Sequence, residues 1–154
     1  MPVVSHTDDT YSAKAKRKFA DPLTLDDVLV DHPRVRFVIA HAGNPWIESA
    51  AEVASMNANV WIEGSAFMIG GAASCTAVKQ QQYVVTPMTW IRKFVEDPSM
   101  ILFGTDWPLA DAGSYLAAFK LAIPRKHWRA VFFENAVRVF NLDTIAMRAA
   151  AVRP

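Results

Sequence analysis

Two hydrophobic periods alternate along the chain, and their alternation predicts its elements. Short unbroken apolar runs occur at Pro2-Val3-Val4-Ser5-His6-Thr7, Val35-Arg36-Phe37-Val38-Ile39-Ala40-His41, Asn59-Val60-Trp61-Ile62-Glu63-Gly64-Ser65 and Met100-Ile101-Leu102-Phe103-Gly104-Thr105-Asp106. Each reads as a strand, and the last, closed by Pro108, as one buried on both faces. Between them, apolar residues recur every three or four positions, the spacing of one helix face. Thr24 is placed as an N-cap, with Asp26 and Asp27 where the helix dipole favours acids. Leu25, Val28 and Leu29 give that helix its apolar side, and Pro33 ends it. Asn44 and Pro45 are read as the cap and first position of a helix from Trp46 to near Met56. Thr86-Pro87 opens a third helix, with Trp90, Ile91, Phe94 and Val95 on one face, and Asp97-Pro98 closes it. Tyr115, Leu116, Phe119 and Ile123 define a fourth. Pro124 starts the last, in which Trp128, Val131, Phe132, Ala136, Val139 and Phe140 share a face. Residues 67–86, with Gly70-Gly71 and Gln80-Gln81-Gln82, read as irregular. Residues 143–154 read as a loose helical tail.

The resulting order, β-α-β-α-β-α-β-α-α, implies α/β architecture: a parallel sheet with right-handed crossovers. Four such units amount to half of an eight-fold barrel, whose usual size is about 250 residues. The chain has 154 residues, 52% hydrophobic and 20% charged, which fits one folded domain with its own core. A formal net charge of +1 gives no reason to expect nucleic acid or a membrane surface as partner. No apolar run approaches the ~20 residues that cross a bilayer. The opening residues lack the basic-then-apolar order of a signal peptide, and the single Cys75 suits a reducing compartment. The expected location is therefore the cytoplasm.

In a parallel sheet all strand ends of one polarity lie on one edge. His6, His41 and Asp106 end three of the four strands, and Glu63 and Ser65 lie at the end of the fourth. Imidazole and carboxylate together suit zinc or a similar divalent ion, and the same groups serve general acid–base catalysis. The convergence of His6, His41 and Asp106 makes them the candidates, although a single strand-end His is ordinarily structural. Glu63 is read as structural, pointing into a barrel or paired with an Arg, and Ser65 as weaker still. Asp8, Asp9 and the Lys14–Lys18 cluster are read as solvated loop. His32 is read as structural, His127 as surface and Cys75 as inert. Trp46 and Trp107 follow strand ends, where they can wall a pocket.

The segments Phe37-Val38-Ile39-Ala40-His41-Ala42-Gly43-Asn44-Pro45-Trp46, Asn59–Glu63, Leu102-Phe103-Gly104-Thr105-Asp106-Trp107-Pro108 and Glu134-Asn135-Ala136, in that order, resemble the amidohydrolase-related family of metal-dependent TIM-barrel hydrolases and decarboxylases. The resemblance runs from Pro2 to about Leu142, so residues 1–142 are expected to form one unit and 143–154 a tail. It implies the C-terminal half of a (β/α)8 TIM barrel, strands five to eight with flanking helices. By position, His6 resembles a metal-binding His. His41 resembles a residue that is a metal ligand in some members and a proton-transfer residue in others. Asp106 resembles a metal ligand that also accepts a proton. No counterpart of the family's strand-one His-x-His or strand-four ligand is present. The implied function is hydrolysis of a C–N or C–O bond on a small-molecule substrate by metal-activated water, with zinc the expected ion and manganese the other choice. The alternatives are a decarboxylase-like lyase, or a catalytically silent half-barrel that serves as an assembly partner. A half-barrel leaves two apolar sheet edges, at Val3-Val4 and Ile101-Leu102-Phe103, and such edges invite pairing. A homodimer, or assembly with a complementing N-terminal half, is the expected consequence.

Overall fold

The computed structural model describes residues 1–142; the tail expected over 143–154 lies outside the described residues. Four strands, β1 (Val3–His6), β2 (Phe37–Ala40), β3 (Val60–Glu63) and β4 (Ile101–Leu102), form one parallel sheet in the order β1-β2-β3-β4. Val3 stands opposite Phe37, Phe37 opposite Val60, and Ile62 opposite Ile101. Each strand therefore pairs only with its sequence neighbours, the arrangement of half a TIM barrel. All four strand C-termini emerge on one edge.

β2, β3 and β4 pack side chains on both faces of the sheet. Phe37, Ile39, Val60, Ile62 and Ile101 point into a large core shared with α2 (Ile47–Met56), α4 (Thr86–Val95) and α5 (Ala112–Ala122). The alternate residues Val38, Trp61 and Leu102 point the other way. There they meet Ala136 and Val139 of α6 (Asn135–Phe140), which closes the N-terminal end of that face. Hydrogen bonds explain why α6 sits there. Asn135 Nδ2 donates to the carbonyls of Pro98 at 2.9 Å and Ile101 at 2.8 Å. Arg138 and Trp61 both donate to Ser99 O, at 2.9 and 3.1 Å, and Arg36 donates to Arg138 O at 2.8 Å. β2 is buried along its whole length, whereas Val3 and Val4 of β1 remain 47% and 55% exposed, as expected of a strand that pairs on one side alone among the described residues.

Several boundaries differ from those expected. The strands are shorter, so His41 lies one residue beyond β2 and Asp106 four beyond β4. Thr24 is not the cap: Asp21 caps a 3₁₀ turn over Pro22–Leu25, and α1 follows at Asp26–Asp31. Asn44 and Pro45 do not start α2. His41–Gly43 form a turn of their own, carrying the chain round before Ile47. Residues 67–86 are more ordered than their composition suggests. Thr76 caps α3 (Ala77–Lys79), which continues through a wide π-type turn at Gln80–Val85 into α4. The wide turn accommodates Pro87, whose missing N–H and ring would disrupt a regular helix. The last helix likewise contains a π segment at Ala130–Glu134 before α6.

Candidate functional site

The C-terminal edge of the sheet gathers the residues of interest. His6 closes β1 and is exposed; His41 is half-buried. Their rings meet edge to face with centroids 4.9 Å apart. The chain reverses sharply after β2: His41, Ala42 and Gly43 all have positive φ, at 64°, 48° and 71°. A side chain at 43 would collide with Pro22 Cγ, so only glycine fits there. The unfavourable backbone of His41 and Ala42 is the kind of local strain that folds keep at functional positions.

Glu63 and Ser65 both contact His41 at this edge. Glu63 shares a sheet face with Leu102. Its Oε2 accepts from the Ser65 hydroxyl at 2.7 Å and from the His41 backbone N–H at 3.2 Å. Ser65 Oγ lies 2.8 Å from His41 Nδ1. No Arg pairs with Glu63 among the described residues. Gly104 makes room for the carboxylate, because a Cβ there would overlap Glu63 Oε1. Alternation within β3 put Glu63 on this face, but nothing in the sequence tied it to His41.

Asp8 is buried, against the expectation of a solvated loop. Burial raises its pKa above the ordinary carboxylate value; a backbone N–H from Asp9 and the nearby His41 and His6 oppose that rise. Asp9 and the Lys14–Lys18 cluster do lie at the surface, where Arg17 pairs with Asp9 at 3.0 Å. Thr7 Oγ1 donates to Ala40 O at 2.8 Å and ties the end of β1 to that of β2.

Asp106 is half-buried, with φ of 59°, and its carbonyl accepts from the N–H of Leu109 at 2.9 Å. Tyr115 of α5 lies beneath this edge. Its hydroxyl donates to Gly64 O at 2.8 Å and accepts from the N–H of Phe67 at 3.2 Å. Burial pushes the phenol well above its ordinary pKa; the Phe67 contact opposes this, and the charges of Glu63, Asp106 and Asp8 add to it.

The donor types suit a divalent cation, and the two imidazoles lie side by side. Among the described residues, however, no three His, Cys, Asp or Glu converge closely enough to hold an ion. His6, His41 and Asp106 share an edge without forming a closed ligand set. Two clefts open nearby. One of about 390 Å³ is lined by Asn44, Ile47, Phe67, Tyr83 and Trp90, among others. The other, of about 370 Å³, includes Trp107, Gly70 and Asp111. Neither includes the histidines or Asp106, so Trp107 walls a cleft beside the candidate residues and not around them. His32 terminates α1, and Cys75 is buried with its thiol toward Gly70 O.

A family model described as Amidohydrolase matches residues 1–142, and the chain belongs to that family. Its fold is also that of solved barrels. An uncharacterized TIM-barrel protein from Bordetella bronchiseptica superposes with a TM-score of 0.66 at 17% identity, over 92% of this chain and 46% of its own. An amidohydrolase from Bifidobacterium longum subsp. infantis gives 0.54 at 21% identity, over 93% and 50%. An amidohydrolase from Burkholderia multivorans with bound zinc gives 0.53 at 16%, over 79% and 49%. The chain therefore spans about half the length of the solved structures it matches. No curated protein matches it. Among the described residues no helix is long and apolar enough to cross a membrane.

Proposed function

We propose that this chain contributes one half of a metal-dependent hydrolase site acting on a C–N or C–O bond of a small molecule. His6 and Asp106 are its metal ligands, zinc or alternatively manganese, and His41 is its proton-transfer residue, with Asp106 sharing that role. The observation that carries this reading is the pair of imidazoles in contact at the C-terminal edge of the sheet, in a chain that belongs to the Amidohydrolase family. When bound, such an ion acts as a Lewis acid. The chain's own groups supply the rest. The backbone of His41 is fixed by Glu63, its ring stands beside His6, and the residue is half-buried.

A second reading is favoured by the lack of a closed three-residue ligand set among the described residues. In it the half-barrel serves assembly and has no catalytic role. Elemental analysis separates the two. Supplied with zinc or manganese near neutral pH, where imidazoles are largely neutral, the chain is expected to retain about one equivalent. Asp106→Asn and His6→Asn are each expected to lower that by tenfold or more, the usual scale for losing a ligand or its support. Retention below about a tenth of an equivalent in the unaltered chain would favour the assembly reading.

A further inference from the structure

Two short contacts on one hydroxyl determine where a proton sits. Ser65 is 3% exposed, so water does not complete its bonding. Its Oγ lies 2.7 Å from Glu63 Oε2 and 2.8 Å from His41 Nδ1. A serine hydroxyl has one proton to donate and lone pairs to accept with. An ionised carboxylate only accepts, and a hydroxyl–carboxylate bond is charge-assisted and the stronger of the two choices. The serine proton therefore goes to Glu63. With Glu63 ionised, any other assignment presses two unshielded oxygens together at 2.7 Å. With that proton committed, Ser65 can only accept from the ring, so Nδ1 must carry a hydrogen.

We infer that Glu63 and Ser65 are positioning residues that hold neutral His41 in its Nδ1–H tautomer, with Nε2 left unprotonated at the strand-end face. The inference deepens the proposed site and rests on it only for what Nε2 then does, as a base or a ligand. Three further features belong to the same device. The backbone N–H of His41 donates to the same Glu63 oxygen, which fixes the residue that bears the ring. Gly104 seats the carboxylate from below. His41 itself has positive φ, and its ring reaches Ser65 just beyond β3. Free imidazole side chains favour the opposite tautomer, so the arrangement has a readable consequence.

The test is a long-range ¹H–¹⁵N correlation spectrum of histidine-labelled protein, without metal or substrate, at pH ~8.5, about two units above the ordinary histidine pKa. His41→Asn assigns the signals. His41 is expected to show the Nδ1–H pattern. Ser65→Ala is expected to shift it to the Nε2–H pattern, and Ser65→Thr, which keeps the hydroxyl, to retain Nδ1–H. Glu63→Gln is a second route. Its amide can donate to Ser65 and turn that hydroxyl onto Nδ1, so the Nε2–H share should rise. Circular dichroism confirms that each variant is folded. An Nε2–H pattern in the unaltered protein, or an unchanged Nδ1–H pattern in both folded Ser65→Ala and Glu63→Gln, overturns the inference. Metal retention is measured separately, so either experiment can fail while the other succeeds.

Discussion

Gly104 shows how one residue can set a site from the loop after a neighbouring strand. It carries no functional group, yet a methyl there would occupy the place of Glu63 Oε1. Gly104→Ala is therefore expected to push Glu63 off Ser65 and His41 and to cost about 1–3 kcal/mol, the usual range for overfilling a packed site. Urea unfolding of a double-mutant cycle checks this. Most of the loss should be absent when Glu63→Ala is already in place. Strictly additive losses would show that the crowding acts elsewhere. The sequence offered Gly104 only as part of a Gly-Thr-Asp strand end. His6, His41 and Asp106 were legible because strand ends of a parallel sheet share an edge. Asp8 and the Glu63–Ser65–His41 contacts were not. They depend on how far β2 runs before it turns, and a turn of three consecutive left-handed residues, two of them non-glycine, has no simple sequence signal.

At the scale of elements, alternating hydrophobic periods fixed the order of strands and major helices, and the boundaries moved where turn chemistry intervened. The two π segments were illegible because an extra residue per turn leaves the apolar spacing nearly intact over so short a stretch. The packing of α6 on the sheet face opposite α2, α4 and α5 was equally hidden. Amphipathic spacing says that a helix buries one side, not which surface it meets. α5 offers a test. Asp111 caps it, with its carboxylate accepting from the N–H of Ser114 at 2.8 Å. Hydrogen bonding with Ser114, from its side chain first and its backbone N–H second, lowers the Asp111 pKa. For a carboxyl lowered by folding, the stabilisation is present above its unfolded value, about 3.9, and is lost as pH falls through the folded value. Asp111→Ala should therefore lower the urea midpoint near pH 6. That deficit should shrink steadily in acid, as the cap of the unaltered chain becomes protonated. A deficit independent of pH would assign it to packing alone.

At the scale of the molecule, the two outer strands of the sheet, β1 and β4, differ in exposure among the described residues. Val3 and Val4 of β1 are about half exposed, whereas Ile101 and Leu102 of β4 are buried. The two edges are thus unequal, though the sequence suggested two similar ones. We propose that β1 is the edge through which this chain associates with a second copy or with a complementing half. Static light scattering on the purified chain is expected to give a mass above that of a monomer, rising with concentration. Val4→Lys should return it toward the monomer, since a charge on an outer strand opposes strand pairing. A monomer at every concentration would remove self-association and leave only the complementing half.

The sheet order β1-β2-β3-β4 has a kinetic consequence. Because each strand pairs with the next in sequence, no pairing waits for distant ends of the chain to meet, and the connections, residues 7–36, 41–59 and 64–100, differ about twofold in length, a small difference in closure cost. Such a sheet can lose its members one at a time from a margin instead of all at once. Amide hydrogen exchange should register this as a gradient. Protection should be greatest in the fully buried β2 and its partner β3, and β1 should open first, with a free energy below that of global unfolding. His6, carried on β1, would then leave His41 in local openings that the rest of the fold survives.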